Sequence, residues 1–369
     1  MSIETLELRS CIQCGRCSGG CPVSMKSTLN PRKLVYCYLN DLCKEMNADE
    51  LGLWECTTCT TCTERCPKGV MPADLVVEMR SKIIESGRMT TQIQGALEST
   101  YLQGNPWGRG REKRMDWAEG LDLPILKPGT KTDVLLFTCC TNAYDPRCQP
   151  AARAVVQLLR AAGVEFGVIG EEETCCSSEQ KRIGEQGMFD ELAVANTKMI
   201  LDRNPKRVVT ISPHCLNSFK KDYPGLTMPV IHYTQLLAEL LGAGKLKVKK
   251  PLEEVVTYHD PCYLGKQNKV FEQPRQVLAA LAGDRFVELD RSRETSLCCE
   301  GGGGRMWVES AGKGRLAETR VADALDLGAS ILATACPFCT LTLEDAVKTT
   351  NSEAKLRIKD VAELLAEAL

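Results

Sequence analysis

Apolar residues recur at two different spacings along this chain, and the change of spacing divides it. From Met71 to Met89, Leu75, Val76, Met79, Ile83 and Ile84 return every three or four positions, which predicts one amphipathic helix. Before it, up to Cys66, no period persists, and short helices and loops are expected. After it, QGNPWGRGREKRMDW is rich in Gly, Pro and Arg and reads as a linker draped on a neighbouring domain through Trp107 and Trp117. From Thr132 onward short apolar runs alternate with helical stretches. TDVLLFTCC, FGVIG and RVVTISPHC are predicted strands. PAARAVVQLLRAAG, ELAVANTKMILDRN and YTQLLAELLGAG are predicted helices. The unit then restarts, with strands in EVVTYHDPC, FVELD and ILATACPFC and helices in PRQVLAALAG and LAETRVADALDLG. Such alternation implies parallel sheets covered by helices on both faces. Its recurrence after about 120 residues implies a duplicated α/β domain and not a solenoid of short repeats. Ligands of such sheets sit at the carboxyl ends of the strands, where both copies carry cysteines.

Composition narrows the class. The chain has 369 residues, 43% hydrophobic and 25% charged, enough for two or three folded domains. With 46 basic and 48 acidic residues it lacks the basic excess that nucleic-acid binding needs. The N-terminus has no basic segment followed by an apolar run, and no uninterrupted apolar stretch approaches membrane-spanning length. A cytoplasmic protein is expected, associated with a membrane only through partner subunits. The 21 cysteines are the outlier. In a chain of this kind, clustered cysteines point to metal ligands or redox groups and not to a disulfide framework.

Two runs near the N-terminus carry the clearest chemistry. CIQCGRCSGGCP places Cys11, Cys14, Cys17 and Cys21 before a proline, and CTTCTTCTERCP repeats this with Cys56, Cys59, Cys62 and Cys66. Three thiolates at this spacing wrap one cubane, and the fourth ligates the other cluster. Cys11, Cys14, Cys17 and Cys66 are therefore expected to hold one [4Fe–4S] cluster, and Cys56, Cys59, Cys62 and Cys21 the second. Zinc knuckles rarely use four cysteines in such a run with a trailing proline.

The duplicated half carries a second pattern. In its second copy, 35 residues separate Cys262 from the pair Cys298 and Cys299, and 36 more separate that pair from Cys336 and Cys339. Five thiols exceed the four of tetrahedral zinc and suit an enlarged iron–sulfur cluster. Gly301 to Gly304 follow at once and allow close backbone approach. In the first copy Cys140 precedes Cys175 and Cys176, but Ser212 stands where Cys336 does, leaving Cys215. Cys139 can compensate, so a cluster, a zinc ion or a site that only scaffolds are all compatible with this copy, and a second complete catalytic cluster is not expected. Cys37, Cys43 and Cys148 are expected to be buried structural thiols. Arg109, Arg111, Lys113 and Arg114 read as a solvated basic face.

Taken together, these residues resemble the catalytic D-type subunit of heterodisulfide reductase, a two-cluster ferredoxin module fused to two CCG domains. YHDPCYLGK, LCCEGGGGRMW, CPFC, GNPWG and SPHCLNSFKKDYP carry the resemblance, from Cys11 to Cys339. It implies a helical ferredoxin-like domain (1–115), a first Rossmann-like α/β CCG domain with an imperfect cysteine set (132–245), and a second with the complete set (246–369). It also implies two cubanes and one non-cubane [4Fe–4S] cluster, the last on Cys262, Cys298, Cys299, Cys336 and Cys339 and reducing a disulfide substrate in one-electron steps. Glu300 and Ser177 depart from the Cys-Cys-Gly pattern. Glu300 is a candidate proton donor or an ordinary loop carboxylate. His259 is a candidate donor to cluster sulfur or a packed strand-end residue, and His214 is expected to orient the Cys215 loop. Without a dinucleotide fingerprint the chain needs a flavoprotein or membrane cytochrome partner. The competing reading is an electron relay between a flavoprotein and quinone, an acyl-CoA reductase or another acceptor, as in the iron–sulfur subunits of glycolate or glycerol-3-phosphate oxidation.

Overall fold

A computed structural model of the chain describes residues 7–45, 48–308 and 314–369. Residues 1–6, within the expected first domain, lie outside the described residues. The N-terminal part is helical: α1 (Arg16–Gly20), α2 (Pro31–Leu39), α3 (Thr61–Glu64), α4 (Pro72–Glu85) and α5 (Thr91–Gln103). The two shortest helices belong to the two cysteine runs. Thr60 and Gly15 enter them with positive φ, which turns the chain back on itself. α4 starts on Pro72, whose fixed φ suits a first turn, and buries Leu75, Val76, Met79 and Ile84 as its spacing predicts.

The rest forms two parallel sheets. The first comprises β1 (Thr132–Phe137), α6 (Cys140–Tyr144), α7 (Gln149–Ala161), β2 (Phe166–Gly167), α8 (Ser178–Ile183), α9 (Gln186–Leu201), β3 (Pro205–Thr210), α10 (Pro213–Asn217), β4 (Val230–His232) and α11 (Tyr233–Gly242), with strand order β2-β1-β3-β4. The second comprises β5 (Val256–Tyr258), α12 (Glu272–Ala282), α13 (Leu316–Asp326), β6 (Ile331–Thr334), α14 (Pro337–Thr349), β7 (Arg357–Asp360) and α15 (Val361–Glu367), with order β5-β6-β7. The expected strand FVELD contributes a single parallel bridge, Phe286 to Val256, on the outer side of β5. It sits where β2 sits beside β1, so the two sheets repeat one topology. Val134, Leu135, Leu136 and Phe137 are all fully buried, as parallel strands covered on both faces must be.

The copies are locked reciprocally. α11 packs on α12, and α15 packs on α7. The last helix of each copy thus covers the first long helix of the other. Tyr233 donates to Asp360 Oδ1 (2.7 Å), and Arg147 reaches Glu344, Glu363 and the Ile358 carbonyl across the same seam. The linker is draped as expected: Trp117 is buried, and Trp107 packs against Trp307 and Phe338 of the second copy. No helix among the described residues is long and apolar enough to cross a membrane.

Candidate metal centres

Four groups of sulfurs stand out. The first cavity is lined by Cys11, Cys14, Cys17 and Cys66, together with Arg16, Arg32 and Lys68. The second is lined by Cys56, Cys59, Cys62 and Cys21. Each borrows its fourth sulfur from the other run. Neither lining contains a carboxylate or an imidazole, so both donor sets are all sulfur. Cys14 and the three cations of the first cavity are exposed, whereas the four sulfurs of the second are buried. Backbone N–H groups point at sulfur where the loops turn: Thr58 N lies 3.4 Å from Cys56 Sγ, and Thr58 has φ 50°.

The third group lies at the carboxyl ends of β5 and β6. Cys299 Sγ and Cys339 Sγ are 3.2 Å apart. Cys262 touches Cys298, Cys298 touches Cys299, and Cys339 touches Cys336, closing a chain of five sulfurs. A ring nitrogen of His259 lies within 4.8 Å of the Cys299 and Cys339 sulfurs. His259 is buried, its Nδ1 has no hydrogen-bond partner, and burial followed by the field of Arg320 pushes it down to about 3, so it is a neutral imidazole. Cys298 also contacts Cys59 and lies 3.4 Å from Thr57 Oγ1, so the second cavity and the third group share an edge.

The fourth group is its counterpart after β1 and β3, and all five expected sulfurs are present. Cys140 touches Cys175, Cys175 touches Cys176, and Cys215 touches both Cys176 and Cys139. Ser212 has become the N-cap of α10, accepting His214 N–H at 3.3 Å. Cys139, at φ 76°, touches both Ser212 and Cys215. In each group some thiols are drawn down by their neighbours. Burial opposes ionisation of Cys336, but Cys339 and His214 outweigh it and bring it to about 5. The Cys175 and Cys215 thiols bring Cys176 to about 6. Their partners Cys262, Cys339, Cys140, Cys175 and Cys215 are pushed up by burial and by the neighbouring sulfurs, so each group shares protons among its thiols, and five converging sulfurs exceed a zinc coordination shell. These donor sets fit iron–sulfur clusters.

Several surrounding residues were not singled out by spacing. Arg114, expected on a solvated face, is buried. It pairs with Glu173 and lies 3.6 Å from Cys140 Sγ, while Glu173 also accepts Thr138 N–H and Cys139 N–H. The physical reason is the linker, which carries Arg114 under the first sheet while Arg109, Arg111 and Lys113 stay exposed. Glu179 accepts from Gly304 N–H (2.6 Å) and bonds His214 Nδ1 (2.8 Å), and His214 stacks on Tyr263. Burial works against a charged His214, yet Glu179 and the Cys336 thiol lift it to about 10. Residue 214 of the first copy thereby reaches a sulfur of the second, while its neighbour Cys215 serves its own group. Arg80 is fully buried on α4. It donates to Leu53 O and Cys56 O of the ferredoxin-like part, to Arg182 O of the first copy and to Gly303 O of the second, at 2.6–3.1 Å. A charge within the apolar stripe of this helix was the available signal. The glycine run serves the same junction: a Cβ on Gly303 would lie 2.7 Å from Cys56 O. Glu300, the candidate proton donor, instead accepts Leu316 N–H at 2.8 Å, at the start of α13.

Known proteins share the order of these modules. The 4Fe-4S dicluster domain matches residues 7–70, and the cysteine-rich CCG domain matches 134–220 and 256–344. The D-type subunit of the dihydromethanophenazine:CoB–CoM heterodisulfide reductase from Methanosarcina barkeri is 34% identical, over 100% of this chain and 95% of its own. The probable iron-sulfur-binding oxidoreductase FadF of Bacillus subtilis is 32% identical over 99% of this chain and 60% of its own length. The EtfAB:quinone oxidoreductase of Syntrophomonas wolfei is 33% identical over 99% and 59%. The chain thus spans about three fifths of the length of these last two. With a dicluster module, two CCG domains and a full-length relative of this similarity, the chain belongs to the family of iron–sulfur oxidoreductase subunits that includes the D-type subunit of heterodisulfide reductase.

Proposed function

We propose that this chain takes electrons at its exposed cysteine cavity, passes them through the buried one, and delivers them to the Cys262 group to reduce a disulfide or similar thiol substrate. The observation that carries this reading is the shared edge between the second cavity and the third group, where Cys59 meets Cys298. When bound, iron–sulfur clusters supply one-electron storage at each site, two cubanes in the cavities and non-cubane clusters on the five-sulfur groups. Cys14 and the exposed Arg16, Arg32 and Lys68 offer an outside donor its approach. That donor is a flavoprotein or cytochrome subunit. Thr57 and Cys298 hold the inner sulfurs in register with the second cysteine run. His259 supplies a neutral N–H or lone pair toward Cys299 and Cys339, and Glu300 fixes the loop between the cysteine pair and α13. The Cys140 group holds a further cluster, because Cys139 replaces the sulfur lost at Ser212.

A second reading is relay without disulfide chemistry, as in a chain handing electrons from a flavoprotein to quinone. It is favoured by burial: Cys298, Cys299, Cys336 and Cys339 are each 1–3% exposed, beside the half-buried Trp107 and Trp307. Anaerobic oxidation of a reduced dye by a heterodisulfide, measured on the copurified complex, separates the two. Turnover that disappears in Cys299→Ala while both cubanes stay reducible supports disulfide reduction. A complex that reduces quinone but never a disulfide supports the relay.

A further inference from the structure

The cavity lined by Cys21, Cys56, Cys59 and Cys62 has a charge feature that sulfur geometry does not require. Two cations are buried beside it, Arg80 at 0% and Lys266 at 1% exposure. All hydrogen bonds of Arg80 described above go to backbone carbonyls. Lys266 Nζ donates to Thr61 Oγ1 (2.9 Å) and to Ser296 O (2.6 Å). Among the described residues neither forms an ion pair with a carboxylate. Glu179, whose field reaches Arg80, is committed to His214 and the Gly304 N–H. Burying an ammonium or guanidinium costs several kcal/mol unless an opposite charge lies close. Both cations hold the backbone and side chains that carry the sulfurs, Arg80 through Cys56 O and Lys266 through Thr61 Oγ1. The acidic group that Arg80 feels most is the Cys56 thiol. Thr61, which Lys266 grips, lies 3.3 Å from Cys59 Sγ.

We propose that Arg80 and Lys266 are the built-in counter-cations of the cluster on Cys21, Cys56, Cys59 and Cys62, and that they raise its reduction potential. The proposal rests on the cluster assignment made above. A four-iron cluster on four thiolates carries a net charge of about −2 when oxidised and about −3 when reduced. Two fixed positive charges balance the first state and favour the second, and their field acts through protein, where it is strong. The other cavity is different: Arg16, Arg32 and Lys68 stand in water, which screens them. The buried pair therefore draws an electron inward, to the cluster that touches Cys298.

The test uses anaerobically purified, iron-replete protein and potentiometric titration of its paramagnetic signals. Cys21→Ser first identifies which signal belongs to the buried cubane. Lys266→Met and Arg80→Met should each move that midpoint downward and leave the other cubane's in place. Lys266→Arg and Arg80→Lys, which keep the charge, should restore it to near the wild-type position. Arg80 also ties three modules together, so if Arg80→Met does not fold, Lys266→Met decides. An unchanged midpoint in Lys266→Met with wild-type iron content overturns the proposal. So does an equal shift of both cubanes, or a shift that Lys266→Arg fails to reverse. Absence of cubane signals from the wild-type protein would instead overturn the cluster assignment, and the proposal with it.

Discussion

Ser177 and Glu300 occupy the same place in the two copies, directly after a cysteine pair, with φ of 58° and 70°. There each donates its backbone N–H to the first sulfur of the pair, at 3.3 Å in both. The left-handed conformation aims that N–H at sulfur, which explains why glycine suits the position and why its replacement was visible in the sequence without its reason. The prediction follows from strain. Ser177→Gly should change stability by less than about 0.5 kcal/mol, whereas the β-branched Ser177→Val should cost about 2–3 kcal/mol in urea unfolding of the anaerobic protein. At Glu300 the side chain caps a helix, so Glu300→Gln should retain turnover and Glu300→Ala should lower stability by about 1 kcal/mol. A loss of turnover in Glu300→Gln with intact clusters would restore its candidacy as a proton donor.

At the scale of elements, most of the pattern was readable because the two periods differ so clearly. α4, α7, α9, α11, α12 and α13 lie where apolar spacing placed them, as do β1, β3, β5 and β6. FVELD meets β5 only at the bridge from Phe286 to Val256 and did not become a strand. Lys266 and Arg114 were illegible as site residues, and Arg80 showed only as a charge in the apolar stripe of α4, since the role of each depends on which distant backbone folds over it. The crossing of the fourth cysteine has a direct check. Cys21→Ser should disturb the cluster of the CTTC run and spare that of the CIQC run, and Cys66→Ser should do the reverse, as read by paramagnetic signals; the opposite pairing would show uncrossed loops. A second check concerns the cap of α15. Burial, with Glu363 nearby, pushes Asp360 up to about 7 despite its bond from Tyr233. The folded chain then keeps a proton that the unfolded chain releases near its ordinary value of about 4. Stability from this group is therefore present at low pH and declines as pH rises to about 7. Asp360→Asn should flatten the decline between about pH 4 and 7, measured by urea midpoints.

At the scale of the whole molecule, two cavities and two five-sulfur groups predict about sixteen irons per chain in anaerobically prepared protein, from four sites of four. A value near twelve would mean that the Cys140 group is empty or holds another metal, and a value near eight that neither five-sulfur group holds iron. Arg80 and the glycine run make all three modules meet beside the buried sites, with their sulfurs on the inner side of the seams, while the cavity of Cys11, Cys14, Cys17 and Cys66 stays open to solvent. This closure has a consequence in time. Iron and sulfide must arrive while the seams are still open, so maturation has a window that ends when the last module docks. A chain allowed to finish folding empty should fill its buried sites only as fast as its ferredoxin-like part lifts away, and sub-denaturing urea should speed that uptake.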